Sequence, residues 1–186
     1  HEWFGYSVAL ANDSLIVGAP WATTTGQGPG SAYIFQRLGQ EWSFREQILP
    51  SDRKDNDRVG ATVALVDGTA LVVAPEHDWG GDYVGAVYVY ERFDSSWVER
   101  SELISPDTVT EYDDNFGQAV ALSGDTVLVG APGDDVVGAA YVFVVDHDTW
   151  VRQAKLSVPG SSEFGTSVVL DGDTALIGAP SDTGDI

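Results

Sequence analysis

The chain has no cysteine. That absence removes thiolate nucleophiles, disulfide staples and Cys-ligated zinc together. It leaves the compartment open, because a fold with a large core has no need of disulfides even outside the cell. Methionine is absent too, and the sequence enters a strand-like pattern directly at His1-Glu2-Trp3, so it reads as a processed product or an excerpt of a longer chain. The three histidines, His1, His77 and His147, are too few and too scattered for a triad, and the sequence contains neither a Gly-x-Ser-x-Gly elbow nor a phosphate loop. No apolar run reaches the length of about 18 residues that a membrane-spanning helix needs. Basic residues are scarce: nine Lys and Arg stand against 29 Asp and Glu, for a formal net charge of −20. Such a surface repels phosphate backbones and anionic lipid, which argues against nucleic acid and membrane surfaces as partners. It serves solubility by itself, and divalent ions or basic partners are what it would attract.

What is present is apolar, aromatic and punctuated. A hydrophobic share of 43% with six Trp, seven Tyr and seven Phe over 186 residues is ample for a core. The 21 Gly and eight Pro fall between short apolar runs without a triplet period, the pattern of many strands joined by turns. An all-β fold is expected.

A repeat organises the whole chain. FGYSVALANDSLIVGAP (residues 4–20), VGATVALVDGTALVVAP (59–75), FGQAVALSGDTVLVGAP (116–132) and FGTSVVLDGDTALIGAP (164–180) align without a gap. The first three are followed by GSAYIF (30–35), GAVYVY (85–90) and GAAYVF (138–143), and then by a unit that opens on Trp42, Trp97 or Trp150 and closes on an apolar residue. Each repeat therefore predicts a four-stranded antiparallel meander. The pairs Asn12-Asp13, Asp67-Gly68, Gly124-Asp125 and Gly172-Asp173 supply two-residue hairpins. Small residues such as Gly5, Ala9, Gly18 and Ala19 suit the crowded centre of a ring of sheets, and the three Trp, recurring at one phase, fill the wider outer wedge. Repeats are expected over 4–58, 59–115 and 116–163, with a half repeat over 164–186.

FGYSVAL, LIVGAP, GSAYIF and the strand opened by Trp resemble the FG-GAP repeat of the integrin α-subunit head and of many secreted bacterial proteins. The resemblance implies a β-propeller, usually seven-bladed, of which about three and a half blades are present, working outside the cell or at its surface as an adhesion or recognition platform. The integrin-type calcium loop, Asp-x-Asp-x-Asp-Gly between the first two strands, has no counterpart here, where only tight turns occur. The short-turn form is closer to the bacterial-type repeats.

In a meander blade the loops between strands two and three, and from strand four to the next blade, share one face, and here they are the long ones. A ligand site is expected there. Trp21, Trp79 and Tyr83 stand in these loops, either as stacking groups for a glycan or protein ligand or as plugs over the blade tops. The same loops carry Asp52, Asp55 and Asp57, Asp134 and Asp135, and further acids at Glu76, Asp78, Asp82, Glu111, Asp113 and Asp114. Hard oxygens from adjacent loops suit calcium. The competing reading is solvated turn-forming Asp, with Arg53, Lys54 and Arg58 offsetting the first cluster. Asn12-Asp13-Ser14 fits a glycosylation sequon at a hairpin tip, and His147 sits in a turn. No residue is assigned to catalysis, since with this many acids a glycosidase-like carboxylate pair arises by number alone. The expectation is a non-catalytic extracellular module that binds a protein or glycan, or further copies or blades of its own kind. The alternatives are an ancillary propeller of a secreted enzyme whose catalytic part lies outside this chain, and an architectural subunit of a surface filament or layer.

Overall fold

The computed structural model describes residues 2–22, 28–79, 82–105, 114–135 and 137–181. Blade 1 is a meander of β1 (Ser7–Ala11), β2 (Ser14–Ala19), β3 (Ser31–Leu38) and β4 (Glu41–Ile48), hydrogen-bonded in that order. Blade 2 repeats it with β5 (Thr62–Val66), β6 (Thr69–Ala74), β9 (Ala86–Phe93) and β10 (Ser96–Ile104); a small hairpin of β7 (Asp78–Trp79) and β8 (Asp82–Tyr83) is inserted between β6 and β9. Blade 3 consists of β11 (Ala119–Ser123), β12 (Thr126–Ala131), β13 (Ala139–Asp146) and β14 (Thr149–Leu156), and β15 (Ser167–Asp171) pairs with β16 (Thr174–Gly178) as a half blade. The all-β propeller blades read from the repeat are present, and among the described residues they do not close a ring.

Local chemistry accounts for the elements. The hairpins joining strands one and two, and strands three and four, have two-residue loops, and the first residue of each loop between strands one and two takes a positive φ: Asn12 at 53°, Asp67 at 43°, Gly124 at 54° and Gly172 at 52°. These residue types tolerate that region at low cost. The outer hairpins do the same with Gly39, Asp94 and the pair His147-Asp148. The fourth strand of all three blades carries a register shift three residues after its Trp, at Arg45, Arg100 and Gln153. A bulge repeated at one phase adds twist where each sheet wraps over its neighbour.

The core lies between blades. Ile16, Ile34 and Ile48 of blade 1 pack with Val63, Val72 and Trp97 of blade 2; Val89 and Leu103 of blade 2 pack with Val127, Tyr141 and Trp150 of blade 3. The second strand of a covered blade is therefore buried on both faces, which explains its unbroken Leu-Val runs. Backbones meet near the ring axis. A Cβ on Gly18 would stand 1.9 Å from Gly60 O, and Gly60, at φ +87°, has no room for one beside Ser31 O. Where Val73 replaces the second-strand Gly, its methyl group occupies the space over Gly117.

Coverage differs along the array. Phe116 packs on Tyr141 and Phe143 at 5.6 and 6.1 Å and is 0% exposed. Phe4 packs on Tyr33 and Phe35 at 5.3 and 6.1 Å, the same arrangement, yet is 55% exposed because no blade lies over it. Trp42, Phe44, Val8 and Leu10 are exposed for the same reason, and Val169 and Leu176 are exposed on the half blade. The packing role expected for the Trp series holds for Trp97 and Trp150, both buried, and lacks its covering blade at Trp42.

Candidate polar sites under the long-loop face

Three positions of the repeat meet beneath the long loops: the second residue after the Pro that follows strand two, the Tyr of strand three, and the residue one before the end of the buried part of strand four. Blade 1 places Ala22, Tyr33 and Gln47 there, blade 2 His77, Tyr88 and Glu102, and blade 3 Asp134, Tyr141 and Lys155. The backbone that carries them is shared. Glu76 N donates to Asp57 O and Gly133 N to Asp114 O; Gly85 N donates to His77 O and Gly138 N to Asp134 O. What varies is the side-chain chemistry. In blade 1 it is a single neutral bond, Gln47 Nε2 to Tyr33 OH at 3.3 Å.

In blade 2, His77 and Tyr88 are fully buried. Asp57, buried in the linker from blade 1, accepts from Lys54 N at 2.6 Å and faces His77 Nδ1 at 3.0 Å. As Asp57 can only accept, Nδ1 carries the proton and Nε2 is directed away from it. Beyond Nε2 stand Glu102 Oε1 at 3.5 Å and Asp52 Oδ2 at 3.7 Å. Tyr88 OH donates to Asp52 Oδ1 at 2.8 Å. The hydrogen bond to Asp57, reinforced by the charges of Asp57, Asp52 and Glu102 and opposed by burial, raises the His77 pKa. Burial, with the Asp52 charge adding to it and the His77 charge opposing it, raises that of Glu102. Burial and the bond to Asp52 hold the Tyr88 phenol protonated.

Blade 3 satisfies the same framework from within. Tyr141 OH donates to buried Asp134 through a short hydrogen bond, Ser105 Oγ donates to Tyr141 OH at 3.4 Å, and Lys155 Nζ donates to Asp134 Oδ1 at 3.0 Å and to Asp135 Oδ2 at 3.2 Å. Burial first, then the bond to Asp134, raises the Tyr141 pKa. Lys155 also lies 5.6 Å from the centre of the Tyr141 ring.

A cleft of about 250 Å³ opens where the blades converge on the long-loop face, lined in part by Tyr6, Arg58, Thr62, Glu76, Asn115 and Gln118. Arg58 bonds Glu76 at 2.8 Å and lies 5.1 Å over the Trp21 ring, which packs against Trp3 at 4.4 Å and Tyr6 at 5.5 Å.

Comparison with known proteins agrees with this architecture: residues 1–35, 42–90 and 97–143, well over half of the chain, match the FG-GAP repeat. The chain belongs to the FG-GAP repeat family. No curated protein matches it. FG-GAP modules are generally non-catalytic and typical of extracellular or surface proteins. The matched FG-GAP unit is out of phase with the blade. Residues 42–90 hold β4 of blade 1 followed by β5, β6 and β9 of blade 2, and residues 97–143 hold β10 followed by the first three strands of blade 3. No helix of the described residues is long and apolar enough to cross a membrane.

The residues singled out in the sequence fare differently in this FG-GAP framework. Trp21 joins the aromatic group beside the cleft and is half-buried. The side chains of Trp79, Tyr83, Asp78 and Asp82 lie outside the described residues, as do Glu111 and Asp113. Asp52 and Asp57 meet at His77, whereas Asp55 stays exposed in the turn. Asp134 and Asp135 come together on Lys155 Nζ. Asn12 is exposed at its hairpin tip, and its Nδ2 donates to Asp67 Oδ1 of the next blade at 3.1 Å. His147 is an exposed turn residue at φ 49° beside Asp146. Sequence reasoning missed Tyr88, Glu102 and Lys155; the available signal was the unlike residues they and their counterparts place at equal repeat positions.

Proposed function

We propose that this chain is a segment of an extracellular, non-catalytic β-propeller that binds a protein or glycan ligand on its long-loop face. The supporting observation is the platform at the cleft, where Trp21 is held between Trp3, Tyr6 and the Arg58 guanidinium, itself paired to Glu76. A cluster of tilted aromatic rings beside a fixed ion pair suits a sugar ring or an amphipathic side chain, and blades locked by backbone contact hold it rigid. The cleft has room for one such group. The uncovered faces of blade 1 and of the half blade are surfaces for further blades of the same kind, since Phe4 presents there the arrangement that Phe116 buries.

The test is a glycan and peptide array probed with the chain, followed by affinity measurement on Trp21→Ala and Arg58→Ala. Each substitution is expected to weaken a captured ligand at least tenfold, as central aromatic and Arg anchors do, with the melting temperature shifted little. A ligand whose affinity neither change alters, or a glycan that is cleaved on incubation, would overturn this reading.

A further inference from the structure

Blade 2 gathers its anionic groups around a single imidazole. At the position where blade 3 supplies Lys155, blade 2 supplies Glu102, so Asp52, Asp57 and Glu102 all face one imidazole. Glu102 Oε1 is buried and accepts no hydrogen bond among the described residues. The fully buried His77 is oriented by Asp57 so that Nε2 points at Glu102 Oε1 and Asp52 Oδ2, 3.5 and 3.7 Å away and too far for good hydrogen bonds. Those separations fit a shared ion. Bonds of about 2.0–2.2 Å at tetrahedral angles set ligand atoms about 3.4 Å apart, and one ligand atom from each of the three residues lies within 4.8 Å of the others.

We propose that Asp52, His77 and Glu102 bind a divalent transition-metal ion of the Zn²⁺ class, tying the blade 1 to blade 2 linker to the β6–β7 connection and to the end of β10. Both outer supports of such a site are in place: Asp57 fixes the tautomer of His77, and Tyr88 OH orients Asp52. The imidazole nitrogen favours this class over calcium or magnesium, which take all-oxygen sets. Asp52, the most exposed of the three, gives the ion a path from solvent and leaves a fourth position for water. A proton competes with the ion for the same nitrogen.

Chelator-stripped chain titrated with Zn²⁺ by calorimetry, and with Co²⁺ by visible absorption, reads the site directly. One ion per chain, the intense bands of four-coordinate Co²⁺ and a Zn²⁺-dependent rise in melting temperature are expected. Asp52→Asn and Glu102→Gln, near-isosteric and partly exposed, should abolish stoichiometric binding, and Asp57→Asn should weaken it by about 10- to 100-fold. If a variant fails to fold, a Zn²⁺-dependent shift of the His77 ring resonances in the parent chain still decides the matter. No binding at stoichiometric concentration, unmoved His77 resonances, tighter binding of Ca²⁺ than of Zn²⁺, or binding undiminished in folded Asp52→Asn and Glu102→Gln would overturn the proposal; the last would place the ion elsewhere on this acidic surface or at His1.

Discussion

Blades 2 and 3 carry one backbone framework and two solutions to the same problem. Each buries a Tyr hydroxyl and a carboxylate beneath the long loops, and each must compensate the charge that comes with them. Blade 3 does so locally, with Lys155 against Asp134 and Asp135. Blade 2 puts a second acid at the lysine position and surrounds His77 with carboxylates from two other segments. A packed repeat thus constrains volume and backbone bonding at these positions and leaves the sign of the charge free.

The comparison breaks most visibly at Lys155. Replacing it with Glu puts an acid at that position, as in blade 2, and leaves fully buried Asp134 opposite a second carboxylate. Loss of a partner from such a pair costs about 3–5 kcal/mol, and a urea-denaturation loss below 1 kcal/mol would show that Lys155 is not the compensating group. A smaller effect is expected at the two hydroxyls. Tyr88→Phe and Tyr141→Phe each remove a bond to a carboxylate, worth about 1.5–3 kcal/mol, and comparable losses measured by chemical denaturation would establish the two tyrosines as equivalent. Smallest, and sharpest in sign, is Glu102→Gln. In chelator it removes a partly buried charge lying among like charges and should raise the stability slightly. With saturating Zn²⁺ the same substitution should lower the melting temperature relative to the parent chain. An equal effect in both buffers would separate Glu102 from any ion.

The blades were legible because the four 17-residue segments repeat turn chemistry, small-residue positions and strand alternation together, and each is enforced by a local cause. The polar clusters were legible only in part. Asp52 and Asp57 stood out as loop acids, but the acidic run around them gave no reason to separate them from Asp55, which remains in solvent. Tyr88 and Glu102 lie within strands, where alternation marks them as one large residue and one polar residue among many. Only the superposition of copies, with Ala22, His77 and Asp134 at one position and Gln47, Glu102 and Lys155 at another, exposes them as places where the repeat tolerates unlike chemistry. Trp21 was recognised as a loop aromatic, and its partnership with Arg58 depends on a linker whose path no local pattern encodes.

The offset between the matched sequence unit and the sheet it builds bears on how such arrays lengthen. A duplicated unit brings the outermost strand of the blade before it together with the first three of its own, so each added copy is interleaved with its predecessor by covalent chain as well as by packing. Growth by whole units then never leaves an orphan sheet within the array, and unfinished edges arise only at its two extremities.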